Sequence, residues 1–200
     1  VHSNSAIHAA MVEGIVKAGL PADAVQLVPT QDRAAVGALL KAQGQIDMVI
    51  PRGGKSLVAR VQDEARVPVL AHLDGICHTY IHAKADPAMA EAIAVNAKMR
   101  RTGICGSTET LLIDQDYPEP ARLIGALLDA GCEVRADDTL MELDARTVPA
   151  EEADWGTEYL DSIVSAKMVS GVDEAIEHIA RYGSQHTESI VTEDAAAAER

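Results

Sequence analysis

The stretch that decides the fold is residues 46–71, IDMVIPRGGKSLVARVQDEARVPVLA. A short apolar run at 46–50 is typical of a buried strand, and a Pro-Arg-Gly-Gly turn follows it. Apolar residues at helical spacing then predict a helix over about 56–66, and a second apolar run predicts a strand at 67–71. A strand–helix–strand order of this length is typical of a parallel sheet with a right-handed crossover.

The same alternation extends in both directions along the chain. Further strands are predicted at 25–28, 79–82, 108–113, 133–136, 163–169 and 189–192. Further helices are predicted at 5–17, 32–43, 86–100, 118–130, 172–182 and 193–200. The charged segment 149–154 is predicted to be a surface loop. We therefore predict an α/β fold with mostly parallel sheets and a domain boundary near residues 83–86.

Composition narrows the class of protein. The 200 residues carry 17 basic and 31 acidic side chains, a formal net charge of −14, so nucleic acid is not an expected partner. No apolar run approaches the roughly 18 residues that a membrane span needs, and membrane association is not expected either. Aromatic residues make up only 2% of the chain, which predicts an aliphatic core. The chain starts without Met in one helical pattern and stops in another, so we expect a piece of a larger protein.

The glycine turn is the first candidate for chemistry. Gly54, Lys55 and Ser56 match the end of a P-loop, but Val49 stands where the first glycine of that motif belongs. Without that glycine the loop cannot wrap a phosphate in successive N–H groups, and a nucleotide triphosphatase is disfavoured. A glycine pair between a strand and a helix still allows close approach of an anionic ligand, or is simply a tight turn.

The three cysteines differ in their surroundings, and their wide spacing is neither a disulfide framework nor a metal-binding pattern. Cys132 follows a glycine at the start of a strand and is expected to be buried. Cys77 lies between histidines, which leaves a Cys–His nucleophile open. Cys105 lies in a glycine-flanked turn after a helix that ends in Lys98, Arg100 and Arg101. Because nearby cations favour a thiolate, Cys105 is the preferred nucleophile, against the alternative of a small residue in a tight turn.

Several motifs, taken in order, resemble the glutamate-5-semialdehyde dehydrogenase family, also called γ-glutamyl phosphate reductases, within the aldehyde dehydrogenase superfamily. The matching segments are 50–57, 67–69, 72–78, 96–98, 109–112 and 182–188, together with Arg101 and Cys105. The resemblance covers essentially the whole chain. It implies an aldehyde-dehydrogenase-like fold with parts of two Rossmann-like three-layer αβα domains. Residues 1–84 would be the later part of the cofactor-binding domain and 85–200 an incomplete catalytic domain.

The resemblance also implies an activity: NADPH-dependent reduction of L-glutamate 5-phosphate to L-glutamate 5-semialdehyde, a cytoplasmic step of proline biosynthesis. Cys105 would attack the acyl phosphate and form a thioester, which hydride then reduces. Arg101 and Lys98 would hold the phosphoryl group or the substrate carboxylate, or would only offset the helix dipole. Where oxidising relatives carry a glutamate base in a Glu-Leu-Gly-Gly segment, this chain has His72-Leu73-Asp74-Gly75.

For the cofactor, the resemblance implies NADP held at the glycine turn. The expected contacts are Gly53, Gly54, Pro51, Arg52 and Ser56, with Thr30 toward the adenosine end. No metal is expected, and a homo-oligomer is expected of the full-length protein. We expect the 200 residues alone to be inactive. The alternatives are another acylating, thioester-forming aldehyde dehydrogenase and a non-catalytic α/β binding fragment.

Overall fold

The computed structural model describes residues 2–200, which form two compact units, one reaching to Ala71 and the other spanning His72–Arg200. The predicted boundary near 83–86 therefore lies inside the second unit. The reason is that the strand Cys77–Ile81 pairs with strands that follow it in the chain, so the segment before residue 83 folds with the later residues. None of the helices within residues 2–200 has the length and apolar character needed to cross a lipid bilayer.

The first unit is mainly helical. Its helices are α1 (His2–Lys17), α2 (Ala34–Leu40) and α3 (Lys55–Glu64), with a 3-10 turn at Ala22–Ala24. The strands predicted at 46–50 and 67–71 are reduced to one parallel bridge between Val49 and Val69 on either side of α3. The strand predicted at 25–28 is wrong, because a β-branched run becomes a strand only where a neighbour pairs with it.

The second unit is built on one six-stranded sheet. Its strands are β1 (Cys77–Ile81), β2 (Thr108–Asp114), β3 (Glu133–Ala136), β4 (Val148–Pro149), β5 (Ile163–Val169) and β6 (Glu188–Val191). The helices are α4 (Pro87–Met99), α5 (Pro120–Asp129), α6 (Asp138–Met141), α7 (Val172–Tyr182) and α8 (Ala195–Ala198). The strand order is β4-β3-β5-β2-β1-β6, with every pair parallel. The predicted α/β class with a parallel sheet is thereby confirmed.

Both faces of this sheet carry apolar side chains. One face packs Ile81, Leu111 and Ile113 against helices α4 and α5, and the core there is aliphatic, as the composition predicts. The other face packs Tyr80 and Leu112 against apolar residues of α7, among them Ala175 and Ile179. A sheet covered on both faces explains why every residue of the central strands β1 and β2 is buried, including the polar ones.

Helix α4 begins where the sequence predicts. The Asp86 carboxylate accepts a hydrogen bond of 2.8 Å from the backbone N–H of Met89, and Pro87 occupies the first helical turn. This arrangement satisfies one of the unpaired N–H groups at the helix start. The helix then runs to Met99, so that the following loop carries Cys105 back to the start of β2.

The segment 149–154 is not the simple surface loop that its charge predicts. It contains the last residue of strand β4 and most of a 3-10 helix, Glu152–Gly156, which buries Asp154 and Trp155. Asp154 is buried because Arg135 pairs with it at 2.7 Å and the Tyr159 hydroxyl donates to it at 2.9 Å. A carboxylate is buried here because partners from outside the segment satisfy it.

Candidate active site

The candidate site of the second unit lies at the amino ends of three neighbouring strands. Cys77 is the first residue of β1, Cys105 lies just before β2, and His186 lies just before β6. Since the strand order places β1 between β2 and β6 and all three are parallel, the segments that precede them meet at one edge of the sheet. The topology thus brings together residues that lie up to 109 positions apart in the sequence.

Hydrogen bonds join these segments. The N–H of Ile76 donates to the Ser184 hydroxyl at 2.9 Å, and the N–H of Gly75 donates to the Glu158 carboxylate at the same distance. The Cys77 thiol donates to the carbonyl oxygen of Cys105 at 3.0 Å. The backbone of the cysteine loop is therefore held by a side chain of β1 and does not depend on its own turn alone.

The three thiols are free and occupy different environments. Cys77 and Cys132 are only 2% and 3% exposed, and burial raises the pKa of each thiol to about 11. Cys105 is half-buried and reaches solvent. The burial predicted for Cys132 agrees with the structure. The alternative of a Cys77 nucleophile does not agree with the structure, because the Cys77 thiol is buried, protonated and hydrogen-bonded to a carbonyl group.

A polar cavity of about 320 Å³ lies beside the cysteine loop. It is lined by Asn96, Ala97, Arg100, Arg101, Ile104, Gly106 and Ser107. The two arginines are exposed, and within residues 2–200 neither guanidinium has a carboxylate in ion-pairing range. Unpaired guanidinium groups are suited to phosphate and carboxylate. Of the predicted substrate-binding residues, Arg101 lines this cavity. Arg100, Asn96 and Ser107 are additional lining residues that sequence reasoning did not assign to it.

Lys98 does not line the cavity. Its ammonium group is fully buried and lies 2.6 Å from the carboxylate of Glu109, which is also fully buried. The pKa of Glu109 is raised by burial, and Lys98 opposes that rise. The prediction that Lys98 touches substrate disagrees with this geometry, because α4 turns the residue inward while Arg101, three positions later, stays outside. Lys98 instead joins α4 to strand β2.

The glycine turn belongs to the first unit. Gly53 has φ of +154°, a backbone conformation that L side chains rarely adopt, and Gly54 is the N-cap of α3. The turn adjoins a cavity of about 540 Å³ lined by Arg33, Val36, Gly54, Ser56, Leu57 and Arg60. Two of the predicted cofactor residues, Gly54 and Ser56, line this cavity at a helix N-terminus, a setting that favours anions.

The remaining predicted cofactor residues, Pro51, Arg52 and Thr30, lie in loops of the first unit. Pro51 is half-buried, and Arg52 is exposed immediately before the glycine pair. Thr30 is exposed, and its hydroxyl accepts a hydrogen bond of 3.1 Å from the N–H of Asp32. These three residues are not among those that line the 540 Å³ cavity.

Comparison with known proteins places this geometry in a family. The model of the aldehyde dehydrogenase family matches residues 2–168. The chain belongs to the aldehyde dehydrogenase family. Among curated members, a gamma-glutamyl phosphate reductase of Rhizorhabdus wittichii is 66% identical over 198 residues, which are 99% of this chain and 46% of that protein. The resemblance to this branch of the aldehyde dehydrogenases is thereby confirmed, and the chain spans about half the length of the curated relatives it matches.

Solved aldehyde dehydrogenase structures show the same fold. The gamma-glutamyl phosphate reductase of Thermotoga maritima superposes with a TM-score of 0.91 at 38% identity, over 98% of this chain and 48% of that one. An acetylating aldehyde dehydrogenase of Geobacillus thermoglucosidasius superposes with a TM-score of 0.70 at 22% identity, over 94% of this chain and 50% of that one. The predicted aldehyde-dehydrogenase-like fold is confirmed.

Proposed function

We propose that this chain contributes the nucleophile and part of the cofactor site to an enzyme that reduces L-glutamate 5-phosphate to L-glutamate 5-semialdehyde and phosphate, in proline biosynthesis. The observation that carries the proposal is the contrast among the three thiols: Cys105 alone reaches solvent, and it lies in the loop that lines a cavity with two unpaired guanidinium groups. The names of the relatives support the same reaction.

The first chemical step falls to Cys105. Its thiolate attacks the acyl carbon of the substrate, the carbon–oxygen bond to phosphate breaks, and phosphate leaves with the electron pair of that bond. The product is a thioester that holds the acyl group on the protein. Because phosphate is a good leaving group, the step needs no general acid to assist its departure.

Arg100 and Arg101 provide positive charge that can stabilise the departing phosphate. Both line the cavity beside the cysteine loop, together with the Ser107 hydroxyl and the Asn96 amide. Guanidinium groups form paired hydrogen bonds to phosphate and to carboxylate oxygens, and charge-assisted bonds of this kind are about twice as strong as neutral ones. We assign Arg101 to the phosphoryl group or the substrate carboxylate, as the sequence predicts.

The first unit fits a dinucleotide phosphate. The glycine turn exposes backbone N–H groups at the start of α3, and the adjoining cavity carries Arg33 and Arg60. Arg60 is already paired with Glu64 at 2.9 Å, which leaves Arg33 as the better candidate for a phosphate. A bound dihydronicotinamide cofactor supplies the hydride for thioester reduction. The choice of NADP over NAD follows the family resemblance.

The segment before β1 favours reduction of the thioester over its hydrolysis. Oxidising relatives have a glutamate base where this chain has His72-Leu73-Asp74-Gly75. At the end of that segment the N–H of Gly75 donates to Glu158 and the backbone lies against the cysteine loop. A thioester held beside a segment without that base is protected from activated water. From the family resemblance we also propose a cytoplasmic protein with a small-molecule substrate, and a homo-oligomer at full length.

Thiol labelling tests the nucleophile without requiring turnover. We expect iodoacetamide at neutral pH to modify Cys105 at least about tenfold faster than Cys132, as judged by peptide mass spectrometry, because only one of these sulfurs reaches solvent. The variant Cys132→Ser should leave the labelling rate of Cys105 unchanged. Equal rates at Cys105 and Cys132 in the folded chain would leave the non-catalytic binding fragment as the better description.

A further inference from the structure

Three metal-ligating side chains lie together at the amino edge of the sheet. His72, Cys105 and His186 each offer one ligand atom, and these atoms all lie within 4.8 Å of one another. The two imidazole rings have centroids 4.8 Å apart with an interplanar angle of 50°. We propose that this cluster binds Zn²⁺ or a divalent ion of similar preference, and that the bound ion switches off the Cys105 nucleophile.

The donor set selects the class of ion. Two imidazole nitrogens and one thiolate sulfur suit Zn²⁺, whereas Mg²⁺ and Ca²⁺ require oxygen ligands. In a tetrahedral zinc site with bonds of about 2.0–2.3 Å, neighbouring ligand atoms are roughly 3.3–3.7 Å apart. The distances between the three ligand atoms therefore have to shorten by about 1 Å to reach the spacing of a tetrahedral zinc site. Both imidazoles are exposed, so rotation of the rings can supply this contraction without moving the strands.

The scaffold holds the ligands near one another before any ion arrives. They come from the segments that precede β1, β2 and β6, which are adjacent in the sheet. The hydrogen bond from Ile76 to Ser184 joins the segments before β1 and β6, and the bond from the Cys77 thiol to the Cys105 carbonyl joins β1 to the segment before β2. A hydroxyl oxygen of Thr187 lies 2.8 Å from Nδ1 of His186 and orients that ring, as outer partners of metal sites do.

Cys77 is a neighbour of this cluster and not a fourth ligand. Its sulfur lies 3.6 Å from Nδ1 of His186, but the side chain is only 2% exposed and its S–H is donated to the carbonyl oxygen of Cys105 at 3.0 Å. Three protein ligands therefore leave one coordination position for water. An open position of this kind is occupied by water or another small ligand, in contrast to closed structural zinc sites.

Binding is a proton exchange and not a redox step. The Cys105 thiol loses its proton to solvent, its sulfur lone pair forms the bond to Zn²⁺, and the ion loses water in exchange. Sulfur engaged in this way cannot attack a carbonyl carbon. The ion site itself is independent of the proposed function, whereas its inhibitory effect rests on Cys105 being the nucleophile.

Cobalt substitution tests the site by a signal that does not depend on activity. Titrating the metal-free 200-residue chain with Co²⁺ should produce a thiolate-to-cobalt charge-transfer band in the near ultraviolet, which added Zn²⁺ then abolishes. We expect His72→Ala, His186→Ala and Cys105→Ser each to weaken Zn²⁺ binding by at least about tenfold, the smaller end of losses seen for outer partners of metal sites. The matched control His2→Ala removes an exposed imidazole of the other unit and should have no effect. Circular dichroism checks that each variant is folded.

Alkylation in the presence of metal separates the two proposals. Saturating Zn²⁺ should slow iodoacetamide modification of Cys105 at least about tenfold, and a chelator should restore the rate. Absence of the cobalt band, or a band unchanged in all three ligand variants, overturns the metal site even if Cys105 remains the reactive thiol. A zinc-sensitive band with a Cys105 that is no more reactive than Cys132 supports the metal site and overturns the proposed nucleophile.

Discussion

Gly75 lies directly against Cys105: a Cβ atom built at position 75 would come within 2.1 Å of the carbonyl oxygen of Cys105 and 2.8 Å of its Cα. Real Cβ atoms do not approach backbone this closely, so only glycine fits there. The segment before β1 and the cysteine loop are thus packed backbone to backbone. Any side chain at position 75 has to displace the loop that carries the thiol.

Gly75→Ala should therefore both destabilise the second unit and change the reactivity of Cys105. We expect a loss of about 1–3 kcal/mol in the free energy of unfolding, the usual cost of overpacking, measured by urea denaturation. The matched control Gly103→Ala lies in the same loop, where the added methyl group meets only an ordinary contact of 3.8 Å to the Leu160 carbonyl. Equal stability and equal Cys105 alkylation rates in the two variants would contradict the close approach.

Removing one partner of the buried pair between Lys98 and Glu109 should be severe. Lys98→Met leaves the Glu109 carboxylate buried without its cation, which typically costs about 3–5 kcal/mol in unfolding free energy. The double variant Lys98→Met with Glu109→Leu should recover most of the loss, because no charge is then left buried. Urea denaturation of the three proteins measures both effects.

The control for this experiment is an exposed pair. Lys84 lies 2.6 Å from Asp194 with its side chain 68% exposed, so Lys84→Ala should cost less than about 1 kcal/mol. A loss for Lys98→Met as small as that of Lys84→Ala would show that Lys98 reaches solvent. It would then return to the candidate substrate-binding residues.

His178 should make the second unit sensitive to mild acid. Its side chain is buried against Trp155 and Tyr182, and burial lowers its pKa from 6.5 to about 4, with His78 and Lys167 adding to the effect and Glu174 and Glu152 opposing it. Because the unfolded chain binds the proton more readily, the neutral form stabilises the fold fully above pH 6.5. That stability is lost as the pH falls toward 4, with about 2 kcal/mol gone by pH 5.

His178→Phe removes this dependence. Neither ring nitrogen of His178 has a hydrogen-bond partner within the described residues, so an apolar ring of similar size leaves no polar group unsatisfied. Unfolding free energies measured at pH 7 and pH 5 should differ less for the variant than for the parent chain. His2→Phe, at an exposed position, should behave as the parent chain does. If the difference between the unfolding free energies at pH 7 and pH 5 is the same in His178→Phe as in the parent chain, other groups cause the acid sensitivity.

Arg101 should favour anionic reagents at Cys105. We expect the positive charge of Arg101 to raise the rate at which iodoacetate alkylates this thiol, relative to the rate for neutral iodoacetamide. Arg101→Met should reduce the ratio of the two rates by a factor of about two to five at low ionic strength. Added salt should shrink the effect by screening. Arg122→Met serves as the control, since that guanidinium is paired with Glu91 and Glu119 outside the cavity. The same ratio in all three proteins would remove Arg101 from the proposed substrate site.

Local elements of this fold could be predicted because their causes lie within a few residues. The helix α4 starts at an Asp-Pro cap, and β3, β5 and α7 have the predicted bounds because their apolar periodicity is uninterrupted. The strand predicted at 25–28 failed for the opposite reason, since its apolar run has no pairing partner within the first unit. The preference for Cys105 over Cys132 also follows from their neighbours in the chain.

What the sequence alone determined is the α/β class, most elements of the second unit, the family resemblance and the choice of Cys105 as candidate nucleophile. Tertiary structure decided which side chains meet. Strand order placed His72 and His186 beside Cys105, and the inward face of α4 buried Lys98 against Glu109 while leaving Arg101 outside. Capping and periodicity act over a few residues and can be predicted locally. Strand pairing joins segments that are distant in the chain, such as β1 and β6, and neither segment alone shows which partner it will have.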